Sequence, residues 1–541
     1  MKFHIMIVLL LFSCASVPAF CCTNYLITKG ASADGSTIIT YVADSHELYG
    51  DLPYIPAGVH IEGTMIDIVD GDTKVYHGQI RQARETYAVI GLMNEHQVAI
   101  GETTWGGRKE LEGSKGVMDY VNLMQVALQR SKTAVEAVTT MGRLVKEYGY
   151  CSSGESFSIS DPNEAWIMDL IGKGPDEKGA VWVARRVPDG YISAHANGPR
   201  IRQFPLNDKV NCLYAEDVIS FARAKGFYQG ADKDFTFSET YNPPTWKSLR
   251  ACEARVYAMF NRAAPSLKLS TDYIDGVKGA EPLPLWIRPD KKLSVRDVME
   301  LMRDHFEGTK YDMTKDVGAG PFVLPYRWRP MSWKVDGVEY IHERAASTQQ
   351  TGFSFVAQSR SGMPDPIGGV LWFGVDDTFS TVYVPMYCGM TSVPVAYAPG
   401  TATLHRFSWD SAFWVFNFVA NWAYSRYCDM IKDIQAVQRE LEGRFLAEQP
   451  KIEYAAQVLY RESPQKAKEY LTEYSVNTAQ AVVARWKQLG ESLIVKYMDG
   501  NVKDSQGKVT HPPYPESWYR RIVNDAGERL KAKKLEGEKE E

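Results

Sequence analysis

The sequence predicts an α+β protein in which antiparallel sheets are covered by helices and an α-helical region closes the chain. Three observations carry this reading. Between Thr23 and Ala194, short runs of β-forming residues repeatedly flank tight-turn residues. Helix starts with capping signatures interrupt those runs. After about Gly400 the composition shifts to apolar residues at helical spacing with few prolines. Strands segregated from helices in this way favour antiparallel sheets under a helical cover.

The first element is a hairpin. Thr23–Thr28 and Ser36–Val42 are rich in β-formers, and the Asp34-Gly35 pair between them is a strong turn signal. With the turn centred near Ser32 and Ala33, position 22 pairs with roughly position 43, which returns Asp44 beside Cys22. Three more strand pairs follow: Tyr87–Gly91 with Gln97–Gly101, Ser156–Ser160 with Ala165–Leu170, and Ala180–Arg186 with Tyr191–Ala194. Together they read as a meander of short strands. Thr133 and Glu136 form a capping box for a helix to about Glu147. Ser294 and Asp297 open another, with Leu293 and Val298 placed as a hydrophobic staple. Trp409–Ile431 reads as one long buried helix, since Asp410, Asn417, Asn421 and Arg426 interrupt it as a membrane span. From Ile434 to Met498 the helical pattern continues, with breaks expected at Pro450 and Pro464.

The chain has 541 residues, which predicts two domains or one large elaborated domain. The net charge is −5 with no basic stripe, so nucleic acid is not the expected partner. Lys531–Glu541 is mixed in sign and reads as a solvated, frayed tail, beginning near residue 530. The start of the chain fits an export signal: Lys2, an apolar run Phe3–Phe12 too short to span a bilayer, and small residues in Ala19-Phe20-Cys21. Cleavage after Cys21 would leave Cys22 at the amino terminus of a secreted or periplasmic protein. A rival reading takes Leu11-Phe12-Ser13-Cys14 as a lipoprotein site, lipidating Cys14 and leaving Cys22 internal; Phe12 fits such a site poorly. The six cysteines beyond the leader are widely and irregularly spaced, which argues against a zinc site and supplies no disulfide framework.

Several signatures of known chemistry are missing. There is no H-E-x-x-H, Gly154-Glu155-Ser156-Phe157-Ser158 misses the nucleophile-elbow pattern at its last residue, and Gly318-Ala319-Gly320 lacks the rest of a dinucleotide fingerprint. His305 lies near a helix end and reads as a cap rather than a base.

From Cys22 the run CTNYLITKGASADGSTIITYVADS resembles the mature start of the cysteine N-terminal-nucleophile dipeptidases, the family of lactic-acid-bacterial dipeptidase A and the secernins. GLMNEHQVAIGETTWGG, YGYCSSGESFSISDPNEAWIMDL, SAHANGPRIRQF, LMRDHFEGTKYDMT and DSAFWVFNFVANWAYSRYCDMI extend the likeness to about Gly500. The resemblance implies an αββα Ntn-hydrolase sandwich over 22–400, a helical region over 401–541 packed on it, and hydrolysis of dipeptides. It also implies that removal of residues 1–21 exposes Cys22, with no cofactor required. One departure stands out. Relatives carry Arg three residues before the Asp, as in R-N-E-D, whereas here Tyr41 precedes Val42-Ala43-Asp44. The resemblance offers Arg255 as a compensating cation.

The chemistry needs little more than the terminal residue. A cysteine thiol ordinarily titrates near 8.5 and an α-amine at about 7.7–8.0, so a free amine can take the thiol proton, directly or through one water. Asp44 would hold the α-ammonium in place. By resemblance, Asn197 would donate to the tetrahedral oxygen and Arg255 would lie near the nucleophile; main-chain N–H groups around Glu102 and Thr103 are expected to supply a second donor. Glu102 is the candidate partner for a substrate ammonium. Small peptides are the expected substrates, and a homo-oligomer is left open. Two alternatives remain: an amidohydrolase of N-acyl amino acids or conjugated bile acids on the same scaffold, and a non-catalytic lipidated surface protein.

Overall fold

The computed structural model describes residues 22–45, 47–113, 115–328 and 331–533. Residues 1–21, with Cys14 and Cys21, on which the export-signal and lipidation readings fall, and the last part of the charged tail, 534–541, lie outside the described residues.

The opening hairpin forms in the expected register. Asn24–Ile27 pairs antiparallel with Thr37–Asp44, with Leu26 opposite Ile39. Thr23 and Val42 exchange both main-chain hydrogen bonds, at 3.3 and 3.0 Å. Continuing that register sets Cys22 opposite Ala43. The turn is held by Asp34, whose Oδ1 accepts from the Ser36 N–H (3.0 Å) and hydroxyl (2.5 Å), while Gly35 takes the positive φ of 74° that the turn requires. Both strands are buried, which ties their register to the core.

This hairpin lies at the centre of a seven-stranded antiparallel sheet. In spatial order its strands are Trp286–Ile287, Ile192–His195, Asn24–Ile27, Thr37–Asp44, Thr351–Ser359, Val370–Val375 and Val384–Tyr387. A second sheet of eight strands runs Cys212–Tyr214, Ala180–Arg186, Ala165–Gly172, Gly154–Ser160 and Ala99–Trp105, then three two-residue strands ending at Tyr54–Ile55. The two sheets pack face to face. Gly101 lies at a close approach: a Cβ there would meet the Asn24 side-chain amide at 2.7 Å and Tyr41 Cβ at 3.1 Å. His195 pins the sheets together, with Nδ1 2.7 Å from Thr103 Oγ1 and Nε2 2.8 Å from Ser158 Oγ. Burial pulls this imidazole down to about 3, so it is neutral.

Helices Tyr120–Leu128 and Ala134–Tyr148 cover the second sheet, and Ala412–Tyr424, Tyr427–Glu462 and Pro464–Tyr497 cover the first. The molecule is therefore α+β, layered helix, sheet, sheet, helix, with a helical C-terminal region. The Ser294–Asp297 capping box forms in full at the start of Val295–Met302. Thr133 caps its helix through the Glu136 N–H at 3.3 Å, but Glu136 reaches back to Lys132 N rather than to Thr133.

Three expectations are corrected. Ala180–Arg186 and Ile192–His195 are not paired in a meander; they belong to different sheets. The turn between them docks on the first hairpin instead: Asp189 Oδ1 accepts from Gly30 N at 2.6 Å, and Thr28 Oγ1 accepts from Gly190 N at 2.9 Å. The expected single helix Trp409–Ile431 breaks at Ser425 and Arg426, where Cys428 N turns to Phe322 O at 3.1 Å. Pro450 does not break its helix. Its neighbours are clamped to the strand Thr351–Ser359 and the residue after it: Gln449 Nε2 donates to Gln358 Oε1 (3.1 Å), and Glu453 receives a bidentate pair from Arg360 (2.8 and 2.6 Å). Tertiary anchoring on both sides outweighs the one hydrogen bond a proline forfeits.

The Arg360–Glu453 pair is 11% and 5% exposed. Removing one partner strands a buried charge, at a cost of about 3–5 kcal/mol. Glu453→Ala should lower the urea unfolding midpoint accordingly, whereas Glu462→Ala, in the exposed pair with Lys466, should change stability by less than about 1 kcal/mol.

Candidate active site

Cys22 stands one residue before the bridge that opens the central hairpin, and its side chain is 3% exposed. Sγ is 3.6 Å from Glu102 Oε1 and 3.8 Å from the Tyr41 hydroxyl, and that hydroxyl donates to the same Glu102 oxygen. Tyr41 is held edge-on between Phe353 and Phe355, at ring separations of 5.5 and 5.8 Å. Burial pushes the thiol well above its ordinary value, and the Glu102 and Asp44 carboxylates push it further; the Asp44 main-chain N–H and the Tyr41 hydroxyl act in the opposite sense.

Asp44 lies beside Cys22, as the strand register predicts. Both of its oxygens are engaged: Arg344 donates to Oδ2 at 2.7 Å and Thr351 to Oδ1 at 2.6 Å. Arg255 projects from the helix Ala254–Ala263, which follows a π-helical turn at Leu249–Glu253. Its guanidinium bonds to Cys22 O (2.7 Å), Thr23 Oγ1 (2.9 Å) and Asn197 Oδ1 (2.9 Å). Asn197 sits at a positive φ of 56° just past the strand Ile192–His195. Its Nδ2 donates to Thr104 O at 2.7 Å, and its carbonyl accepts from Cys252 Sγ at 3.3 Å. Cys22, Asp44, Asn197 and Arg255 are thus brought into one neighbourhood.

Glu102 and Thr103 separate in role. Glu102 faces the thiol, while the Thr103 hydroxyl is taken by His195. The Glu102 main chain is also occupied. The Asn24 side-chain amide, oriented to satisfy both groups, accepts from Glu102 N and donates to Glu102 O, each at 3.0 Å. This clips the chain start to the second sheet and removes the Glu102 N–H as a donor to substrate.

Glu155 is an addition that the sequence patterns did not supply. Thr104 pairs with Glu155 across the strands Ala99–Trp105 and Gly154–Ser160, so Glu102 and Glu155 are diagonal neighbours on one face. Both are buried, and their carboxyl groups act on each other electrostatically. Two carboxyls so placed cannot both ionise. Burial and the Glu102 charge push Glu155 well up, so Glu155 keeps the proton. A charged residue in an otherwise uncharged strand was the available clue. Arg344 had none, because it lies in irregular chain between the strands Val338–Ile341 and Thr351–Ser359.

Beside the thiol opens a cavity of about 190 Å³, walled by Cys22, Tyr41, Glu102, Met124, Phe353 and Phe355 among others. A buried thiol, hydrogen-bond donors beside it and an adjoining cavity form an arrangement suited to nucleophilic attack on a small carbonyl substrate. Elsewhere, His305 packs against Tyr326 and Phe379 and bonds to Glu307 at 3.1 Å, while the cap of the preceding helix is Arg303 rather than His305.

The protonated Glu155 predicts a pH dependence. An unfolded glutamate titrates near about 4.3, below the folded Glu155. Its contribution to stability is therefore complete below that value and is lost as pH rises toward the folded value, by up to about 1.4 kcal/mol per pH unit. Glu155→Gln keeps a neutral donor and cannot ionise. Its urea midpoint should fall less between about pH 5 and pH 8 than that of the parent protein.

Comparison with known proteins bears on the family of the chain. The model of peptidase family C69 matches residues 55–440, a stretch that begins after Cys22 and Asp44. A probable dipeptidase of Latilactobacillus sakei is 23% identical over 75% of this chain and 81% of its own length. One from Salmonella dublin is 25% identical over 70% and 82%, and probable dipeptidase B of Streptococcus pyogenes serotype M1 is 24% identical over 71% of each. Among the described residues, no helix is long and apolar enough to cross a membrane. With two sheets closing on a buried thiol and a family match over most of its length, this chain belongs to peptidase family C69.

Proposed function

We propose that this protein is a dipeptidase of the Ntn-hydrolase type, exported from the cytoplasm and activated by removal of residues 1–21, with Cys22 as nucleophile. The observation that carries this reading is the position of the Cys22 sulfur, at the wall of a cavity and within 4 Å of both Tyr41 and Glu102. The layered pair of antiparallel sheets supports the αββα assignment, with 22–400 as the catalytic unit and the helical remainder packed on it. The probable-dipeptidase relatives support the substrate class.

In this mechanism the free α-amine of Cys22 takes the thiol proton, and the thiolate attacks the peptide carbonyl. The amine returns that proton to the departing amino group, and water then cleaves the thioester. Asp44 lies close enough to favour the ammonium form, although it shares its charge with Arg344. Arg255 fixes the Cys22 main chain and orients Asn197, the residue assigned to the oxyanion. The electrostatics also account for a silent precursor. While residue 22 is amide-linked, its thiol sits among carboxylates with no amine to accept the proton; freeing the amine adds both the base and the cation.

Cys22→Ala should reduce dipeptide turnover by at least about 1,000-fold with the fold intact by circular dichroism. Cys22→Ser should be nearly as impaired, since a hydroxyl ionises far less readily than a thiol. Full activity in the alanine variant, or an active native protein whose mass spectrum retains residues 1–21, refutes the proposal. Faster cleavage of N-acyl amino acids than of any dipeptide would move the assignment to an amidohydrolase on the same scaffold.

A further inference from the structure

Two carboxylates line the cavity that the proposed mechanism does not use. Asp51 is partly buried and makes no hydrogen bond or ion pair among the described residues. Asp72 sits at the exposed rim, where the Tyr120 hydroxyl donates to Oδ2 at 2.9 Å. Neither is matched by a guanidinium or ammonium in the wall: the described lining residues include no lysine or arginine. The remaining wall is largely apolar and aromatic, with Tyr41, Phe353, Phe355, Phe373, Met124 and Leu48.

Bond lengths divide the cavity between the parts of a substrate. A carbonyl poised for attack lies about 3–3.5 Å from Sγ, and the α-nitrogen of the same residue is only about 2.5 Å from that carbonyl carbon. The carboxylate in reach of this α-ammonium is Glu102, whose Oε1 is 3.6 Å from Sγ. The side chain of the same residue then enters the rest of the cavity, whose wall combines aromatic faces with Asp51 and Asp72. An apolar stem ending in a cation matches this combination of surfaces, and aromatic faces attract cations as well.

We propose that the enzyme prefers dipeptides whose N-terminal residue is lysine or arginine, with Asp51 as the main determinant and Asp72 supporting it. This rests on the dipeptidase reading and names the substrate class of that site. An acidic N-terminal residue is disfavoured by the same carboxylates. Burial holds the Asp51 carboxyl up at about 6 even though Lys74, outside the cavity lining, acts on it; a substrate cation supplies a partner within the cavity.

The test is steady-state kinetics of the processed enzyme with Lys-Ala, Arg-Ala, Leu-Ala and Glu-Ala, repeated with Asp51→Asn. The expected order is Lys-Ala and Arg-Ala above Leu-Ala by at least about fivefold in kcat/KM, with Glu-Ala lowest. One charge-assisted contact corresponds to roughly a tenfold or larger effect. Asp51→Asn should therefore raise KM for Lys-Ala at least about tenfold more than for Leu-Ala, a difference that a general loss of structure would not produce. Leu-Ala cleaved as well as Lys-Ala, or equal losses on both in the variant, overturns the inference while leaving a dipeptidase. Failure to cleave any dipeptide overturns both this inference and the dipeptidase assignment.

Discussion

A sulfur atom sealed among carboxylates has no easy way to carry negative charge, and the rest of the site is arranged around that constraint. Each neighbour of Cys22 limits the unfavourable field by a different means. Arg344 neutralises Asp44. Glu155 retains a proton, so the Glu102–Glu155 pair carries one charge rather than two. The Asp44 N–H offers a hydrogen bond to the sulfur, and the Tyr41 hydroxyl lies 3.8 Å from it. Arg255 is bonded to the carbonyl of Cys22 and holds its main chain rather than its thiol. These arrangements make ionisation possible without making it spontaneous.

The local parts of this site were legible in the sequence. Asp34-Gly35 defines a turn, the turn defines a register, and the register puts residue 22 against residue 43 with Asp44 adjacent. Such inference succeeds because the pairing of a short hairpin depends on a few neighbouring residues. Arg255 and Asn197 were reached only through family resemblance, since nothing in their local sequence states that helix Ala254–Ala263 comes to rest on Cys22. Arg344 and the side-chain clip from Asn24 to Glu102 were not reached at all. Both are long-range polar contacts from residues that look ordinary in sequence.

The helical region shows where local rules lose to packing. Pro450 has the sequence signature of a break, yet the helix continues because Gln449 and Glu453 are tied to the chain around Gln358 and Arg360 on either side of it. Trp409–Ile431 has the signature of one helix, yet it divides at Arg426, whose side chain reaches Gly500 O at 3.1 Å and Asp429 at 2.7 Å. The strand these helices grip, Thr351–Ser359, is hydrogen-bonded along its length to Thr37–Asp44. The C-terminal helices thereby support, through one intervening strand, the backbone that presents Tyr41 and Asp44.

The passage from Ala180–Arg186 to Ile192–His195 crosses from one sheet to the other, and its turn is bolted to Thr28 and Gly30. That short connector acts as a fixed-length strut. Asn197 emerges immediately beyond it and must span from Thr104 on one layer to Arg255 above the other. Lengthening or shortening the strut by a single residue would rotate His195 out of its two hydroxyl contacts and carry Asn197 off its mark. Evolutionary drift in this family should therefore tolerate changes of residue type at the strut far better than changes in its length.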